Sequence, residues 1–129
     1  MILIGGHLNN CPLPIAKPSA GEYFRLIPSG KLCIDEFKSR ARLCIEGNGY
    51  LNVDLNVCEE HALSLCTTME RVFSLKRKFK RYRLAKVAVV NLLHSHGVID
   101  QDTPAHANWW HPINFDPLTI ATLANEESK

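Results

Sequence analysis

Apolar and polar residues alternate along the first half of the chain in two pairs of short segments. Residues 23–27 and 31–37 form the first pair, and Pro28-Ser29-Gly30 between them is a typical turn sequence. Alternation with a period of two places every second side chain on the same face of a strand. The pattern therefore predicts a β-hairpin in which Leu26 lies opposite Leu32 on the apolar face.

The second pair of alternating segments, residues 41–45 and 51–55, is connected through Gly47-Asn48-Gly49. A two-residue loop made of Asn48-Gly49 would set polar residues opposite apolar ones on both faces. A three-residue loop places the apolar residues of both segments on one face, so the register that this loop sets is the one expected. The two hairpins together predict an antiparallel β-meander over residues 22–57, with one face buried and the other in water.

The pattern changes at residue 58. Residues 58–96 contain no glycine or proline, and their apolar residues recur at intervals of three and four, as on one face of a helix. A single helix of this length would extend for about 58 Å. The pattern therefore favours two packed helices with a turn near residues 74–78, and one long helix is the alternative. The second helix would carry the apolar run 87–93 and form the centre of the core.

The two ends of the chain have no regular pattern. Residues 1–21 predict a short N-terminal strand and a proline-rich loop. Residues 97–129 predict an irregular tail with a possible short helix at 117–125, because Asp116-Pro117 suits a helix start. The predicted fold is thus α+β in a single domain (residues 1–129): an antiparallel β-meander of two hairpins, followed by one long or two packed α-helices and an irregular C-terminal segment.

Composition places the chain among ordinary globular proteins, with 46% hydrophobic and 22% charged residues. Its longest apolar run is shorter than the ~20 residues that a membrane-spanning helix needs. The first residues lack the basic and apolar regions of an export signal, so the expected location is cytoplasmic. The five cysteines are an odd number in such a chain, which predicts free thiols instead of a disulfide framework.

Charge is distributed very unevenly along the sequence. The segment 71–86 holds eight of the fifteen basic residues, and no acidic residue occurs between 71 and 99. The net charge of +2 hides this concentration, because the rest of the chain sums to −6. A solvated helix normally mixes both signs, whereas a concentrated positive field attracts polyanions.

The basic segment predicts a non-enzymatic accessory protein that binds nucleic acid, DNA or RNA, by contacting phosphates through a cationic helix. No named DNA-binding motif is present, so contacts that are independent of base sequence are expected. Trp109 and Trp110 would be possible stacking residues. The predicted contact residues are Lys76, Arg77, Lys78, Lys80, Arg81, Arg83, Lys86, Trp109 and Trp110. Size, fold class and polarised charge together suit an accessory protein of a phage or plasmid, although no single residue carries that interpretation.

The first alternative is a protein-binding module or inhibitor. It would dock its basic helix and its tryptophan pair on an acidic protein surface, since tryptophan and arginine are frequent anchors of interfaces. A third interpretation of the basic segment is an ordinary solvated helix face whose long side chains cover the core. No membrane partner is expected, and the sequence leaves the oligomeric state open.

The second alternative is a metal-dependent hydrolase or nuclease built on a cluster of histidines and aspartates in residues 94–111. Imidazole and carboxylate groups are common ligands of divalent metals, zinc included. The candidate ligands there are His94, His96, Asp100 and Asp102, with His106 and His111 nearby. Cys58 and His61, one helical turn apart, are a separate candidate pair for structural zinc. Helix caps, turns and buried thiols account for the same residues, so the sequence predicts neither a cofactor nor a catalytic residue.

Overall fold

The structure, a computed structural model, describes residues 2–18 and 20–124. Its main element is an antiparallel β-sheet whose strands lie in the order β4-β5-β2-β1-β3-β6. The strands are β1 (Gly21–Ile27), β2 (Leu63–Cys66), β3 (Lys86–Leu92), β4 (Val98–Thr103), β5 (His106–Trp110) and β6 (Ala121–Leu123). The helices are α1 (Arg40–Ile45) and α2 (Met69–Lys78), and single 3₁₀ turns are formed by Ile34–Phe37, Cys58–His61, Lys80–Tyr82, His94–His96 and Pro117–Ile120.

The predicted meander followed by packed helices is therefore wrong. Strand β1 is found where a strand was predicted, but it does not form a hairpin with residues 31–37. It pairs along its whole length with β3, from the register Gly21 opposite Leu92 to Ile27 opposite Lys86. The strand that completes the sheet around β1 thus comes from the part of the chain predicted to be the core helix.

The second predicted hairpin is replaced by helix α1. The Ser39 hydroxyl accepts a hydrogen bond from the Arg42 N–H (3.1 Å), which caps the helix N-terminus. Gly47 has a φ of +77°, and the following Asn48 N–H donates to the Leu43 carbonyl (2.8 Å), so the helix ends in a left-handed turn. Ala41 is buried, whereas Ile45 is 62% exposed, as one short helix with a single buried face requires.

The predicted helical region 58–96 contains two strands and only one helix of more than two turns. Helix α2 starts at the cap residue Thr68, whose hydroxyl accepts from the Arg71 N–H (3.1 Å), and continues through the predicted turn at 74–78. Strand β3 holds the apolar run that was predicted to be a helix. Its residues are rich in β-branched side chains and are apolar on both sides, because both faces of the sheet are covered.

The C-terminal segment is also more regular than predicted. Strands β4 and β5 form a hairpin at one edge of the sheet, and β6 pairs with β3 at the other. The Asp116 carboxylate accepts from the Leu118 N–H (3.0 Å), so a helical turn does begin at Pro117 as expected. It ends at Ile120 and runs directly into β6, while residue 125 lies outside the described part of the chain.

Three apolar clusters of the described residues cover the two faces of the sheet. On the first face, Trp109 and Leu63 from neighbouring strands pack with Phe37 and with the turn Pro117–Ile120. On the second face, Val72 of α2 packs on Val87, and the N-terminal segment packs around Trp110. On the second face, the space between α2 and the N-terminal segment is open to solvent.

The cysteines depart from the expectation of free thiols. Cys11 and Cys58 form a disulfide with a Cα–Cα distance of 5.5 Å, which ties the N-terminal segment to the turn before β2. Cys33, Cys44 and Cys66 are free. Sequence alone missed the pair because the two residues are separated by 47 positions and lie in no recognised spacing. Among the described residues, no helix is long and apolar enough to cross a membrane.

Candidate nucleic-acid interface

The basic residues lie on a turn, not on one continuous helix. Helix α2 ends at Lys78, where the next residue, Phe79, adopts an extended conformation with a φ of −115°. A 3₁₀ turn at Lys80–Tyr82 then reverses the chain into β3, which starts at Lys86. We call residues 77–86 the basic turn. The predicted cationic helix is thus corrected to a helix end, a turn and the first residue of a strand.

The charged side chains of the basic turn point into solvent. Arg77, Lys78, Lys80, Arg81, Arg83 and Lys86 are all exposed. The ion pairs seen in the described part of the chain involve other residues, so none of these six is neutralised by a carboxylate there. Lys76, one position before the turn, is half-buried and makes contacts of its own. A short stretch of surface therefore carries six positive charges without local compensation.

An aromatic ring lies in the middle of these charges. Phe79 is 38% exposed, with the Lys78 ammonium 5.7 Å and the Arg81 guanidinium 5.5 Å from its ring centre. Arg81 also lies 4.7 Å from the ring centre of Tyr82, which meets Phe79 edge to face at 6.1 Å. Cations over aromatic faces are stabilised by the ring quadrupole. The turn therefore presents cationic and aromatic groups side by side.

The two tryptophans are not available for stacking. Both Trp109 and Trp110 are 0% exposed. They are consecutive residues of β5, so their side chains point to opposite faces of the sheet and each enters a different apolar cluster. The indole N–H of Trp109 donates to the His96 carbonyl (2.7 Å), and that of Trp110 donates to the Cys58 carbonyl (3.3 Å). Neither indole ring has a free face on which a base could stack in this fold.

A groove of about 710 Å³ opens beside the basic turn, on the second face of the sheet. Phe79, Arg81 and Tyr82 line one side of it, and residues of α1 and the turn before it line the other. Its floor is formed where β1 and β2 separate, since these two strands pair only at Phe24 opposite Cys66. Arg25 is a half-buried residue that lines the groove, and its guanidinium lies in the gap between the two strands.

Part of the predicted histidine and aspartate cluster also borders this groove. His106 donates a hydrogen bond from Nδ1 to the Asp102 carboxylate (2.8 Å), and the Asn108 amide donates to the second oxygen of that carboxylate (3.2 Å). Burial acts to raise the pKa of Asp102, but the hydrogen bonds outweigh it, and the pKa of this carboxyl lies below its usual range. Cys66 faces His106 across the strands, and burial raises the pKa of its thiol.

The other members of that cluster lie elsewhere. His94 and His96 are on the turn before β4, where the Nδ1 of His96 accepts from the Leu93 N–H (2.9 Å) and its ring stacks on Phe115 at 4.8 Å. Asp100 makes no contact with either histidine among the interactions seen. Within residues 2–18 and 20–124, no group of three His, Cys, Asp or Glu side chains is arranged to hold a metal ion.

The second candidate metal pair is used structurally. Cys58 is bonded to Cys11, and His61 donates from Nε2 to the Leu55 carbonyl (2.8 Å). The His61 ring also meets His7 edge to face at 5.0 Å, beside a second cavity of about 300 Å³ that includes His111. Burial is the main cause that lowers the pKa of His111, and its hydrogen bond to the Pro112 carbonyl (2.7 Å) only partly opposes that shift.

Sequence reasoning missed three residues of this region. Phe79 and Tyr82 were assigned to the apolar face of a helix because they fall at helical spacing. Arg25 was not singled out, although an arginine inside the apolar run of β1 was a signal, since such a residue must find hydrogen-bond partners within the fold.

Comparison with known proteins identifies no relative from which a function could be inferred. Neither a protein-family model, nor a curated protein, nor a solved structure matches this chain.

Proposed function

We propose that this protein binds single-stranded nucleic acid through the basic turn, with its lysines and arginines on phosphates and Phe79 stacked against a base. The observation that carries the proposal is the combination of six exposed, locally uncompensated cations with an exposed aromatic ring. Each phosphate that is neutralised releases condensed counterions, which supplies affinity without any reading of the base sequence.

The aromatic ring favours a single strand over a duplex. A base in a single strand has free faces, and stacking it on an aromatic side chain contributes about 1–3 kcal/mol. In a duplex the bases are already stacked, so Phe79 has nothing to add. The buried tryptophans play no part, and Phe79 with Tyr82 takes the place that they had in the sequence-based prediction.

Binding to an acidic protein surface is the second candidate function. Leu84 is 87% exposed within the basic turn, between Arg83 and the start of β3. An exposed apolar side chain next to an arginine suits a protein interface, since interfaces bury apolar side chains and arginine is enriched among their anchors. A nucleic acid gives Leu84 no specific partner, so a change of Leu84 to serine separates the two candidates: it weakens a protein complex and leaves nucleic-acid affinity unchanged.

No specific observation favours the hydrolase interpretation, because the predicted ligands occupy two separate places. The expected cytoplasmic location also gains no support, since disulfides such as Cys11–Cys58 are typical of oxidising compartments.

The proposal is tested with variants matched in charge. Lys80→Gln combined with Arg83→Gln removes two charges from the basic turn, and Lys17→Gln with Arg42→Gln removes two exposed charges elsewhere. Binding of a labelled 12-nucleotide single strand and of the matching duplex is measured by fluorescence anisotropy at low salt. The first pair is expected to weaken both ligands by about tenfold or more, and the second pair by much less.

Phe79→Ala should weaken only the single strand, by roughly 5- to 150-fold. Equal losses for the two double variants would mean that binding follows net charge alone, and the basic turn would not be the interface. Equal losses of single strand and duplex in Phe79→Ala would remove the stacking role.

A further inference from the structure

The gap in the sheet between β1 and β2 is bridged by a side chain. Beyond the single pairing of Phe24 with Cys66, the two strands separate. The Arg25 guanidinium fills the space, donating from Nη1 to the Ser64 carbonyl (2.7 Å) and from Nε to the Glu36 carbonyl (2.8 Å). The two backbone contacts fix the plane and the direction of the guanidinium at the floor of the groove.

This guanidinium retains unused hydrogen-bonding capacity. It has five N–H groups, and two of them donate to the carbonyls described above, which leaves three. Arg25 makes no ion pair with a carboxylate in the described chain. Its carbon Cζ lies 5.7 Å from the centre of the ring of Phe37, a buried residue that does not line the groove. The remaining N–H groups are therefore the ones that a ligand in the groove can reach.

The charge of Arg25 is weakly compensated by its surroundings. The carboxylates that line the groove belong to Asp35, Glu36, Glu59, Glu60 and Asp102. Among them, only the Glu36 carboxylate raises the pKa of Arg25 appreciably. That carboxylate also accepts a hydrogen bond from the Ser29 N–H (2.8 Å). Desolvation by burial dominates and lowers the pKa of Arg25, so its charged form is held at a cost that a bound anion would offset.

The size and rim of the groove suit a nucleotide. A volume of about 710 Å³ falls within the range that holds small-molecule ligands. The aromatic side chains that line the groove include those of Tyr50, Phe79 and Tyr82. The guanidinium of Arg40 lies 5.5 Å from the centre of the Tyr50 ring, so the far side of the groove also combines a ring with a cation. Bases stack on aromatic side chains, and the floor offers the N–H donors of Arg25 to an anion.

We infer that the groove binds a phosphate monoester carried by a nucleotide, with Arg25 as the ligand of the phosphate and the base held among the aromatic residues of the rim. This inference rests on the proposed function when the monoester is the terminal phosphate of a strand lying on the basic turn. A free nucleotide carries the same chemistry and would use the same contacts. A fork of planar N–H donors is well matched to phosphate oxygens.

The first test uses the unaltered protein. The Nε–Hε resonance of Arg25 is followed by NMR during separate titrations with adenosine 5′-monophosphate, adenosine and acetate, each to about 10 mM. The monophosphate is expected to shift this resonance saturably, with adenosine and acetate having little effect. Absence of a shift, or an equal shift with acetate or adenosine, overturns the inference.

The second test distinguishes a strand end from a free nucleotide. Single strands of one sequence, with a 5′-phosphate, a 3′-phosphate or no terminal phosphate, are compared for affinity. A strand end as the ligand predicts that one phosphorylated form binds about tenfold tighter, the effect of one charge-assisted pair, and that Arg25→Lys abolishes this preference. Equal affinities with a saturable monophosphate shift identify a free nucleotide and support the groove as its site.

The same data separate this inference from the proposed function. Lys80→Gln with Arg83→Gln should weaken the three strands to a similar extent, because it acts on backbone phosphates. If single strands bind through the basic turn but the monophosphate does not shift the Arg25 resonance, the proposed function stands and the groove site is overturned. If the monophosphate shifts the Arg25 resonance but the protein binds no strand, the groove site stands and the proposed function is overturned. If Arg25→Lys does not fold, the titration of the unaltered protein still decides.

Discussion

Removal of the Cys11–Cys58 disulfide should cause a large loss of stability, and its size can be calculated from the structure. The double variant Cys11→Ala with Cys58→Ala removes the disulfide and leaves no free thiol at either position. The bridge closes a loop with a sequence separation of 47, and closing a loop of that length removes about 4 kcal/mol of chain entropy from the unfolded state. Small proteins are stable by only about 5–15 kcal/mol, so this loss is a substantial fraction of the total.

The loss should have a local signature as well. Cys11 packs with Ala62 and Trp110, and it fastens the N-terminal segment over that tryptophan. Without the bridge, the segment is held by fewer contacts, among them the hydrogen bond from the Ile4 N–H to the His111 carbonyl (2.9 Å). Trp110 should then become more accessible to water, which red-shifts its fluorescence below the main unfolding transition.

Urea unfolding followed by tryptophan fluorescence measures both effects. With a urea dependence of about 1–3 kcal/mol per molar, a loss of about 4 kcal/mol moves the midpoint by roughly 1–4 M. Cys33→Ala is the control, because Cys33 is exposed and free, and its midpoint should stay close to that of the unaltered protein. A free energy of unfolding for the double variant within about 1 kcal/mol of that of the unaltered protein would refute the reasoning. Alkylation of all five cysteines in protein that is unfolded without a reducing agent would also refute it, because it would show that the disulfide is absent.

Three other outcomes follow from the structure. Gly97→Ala should be severely destabilising in thermal unfolding, because Gly97 has a φ of +108° and an added Cβ would collide with the Trp110 carbonyl oxygen; Gly49→Ala, at a φ of +103° with open space around it, should cost less. His111 should make stability fall as the pH drops below its ordinary pKa of 6.5, since its folded-state pKa is lowered and the unfolded chain takes up the proton first. Denaturation at pH 8 and pH 5 should show a smaller difference in His111→Gln, and an unchanged difference would contradict the assignment. Cys66 should react with iodoacetamide far more slowly than Cys33 at neutral pH, because burial raises the pKa of the Cys66 thiol; equal rates would argue against that burial.

Most errors in the predicted fold arise because the segments are short. Over the five residues 41–45, the alternating pattern of a strand is nearly the same as the one-sided apolar pattern of a short helix. The hydrogen bond that caps the helix at Ser39 favours α1 over a strand. The apolar run in β3 is similarly ambiguous, since buried strands and buried helices are both apolar on every side. Strand β1 was predictable because a short segment rich in apolar and aromatic residues there is followed by a turn at Gly30.

The sequence predicts the concentration of positive charge at the candidate site, but it does not predict how the residues around that charge are arranged. A run of cations without a carboxylate is visible in the sequence, and its side chains are exposed in the fold. The burial of Trp109 and Trp110 could not be predicted, because it follows from their position in β5, where neighbouring side chains enter opposite faces of the sheet. Arg25 is distant in sequence from the basic turn and reaches the groove only through the pairing of β1 with β3, which no local pattern reveals.

The most direct test of nucleic-acid binding by the basic turn is the salt dependence of its affinity for a single strand. About four to six phosphate contacts, each contributing about −0.7 to −0.9, give a log–log slope of roughly −3 to −5. Changing Lys78, Arg81 and Arg83 together to glutamine should flatten the slope by about 2–3, and a variant with Lys17, Lys31 and Arg42 changed to glutamine should retain most of it. An absence of binding by the unaltered protein at about 50 mM salt, where phosphate contacts are strongest, would contradict the account.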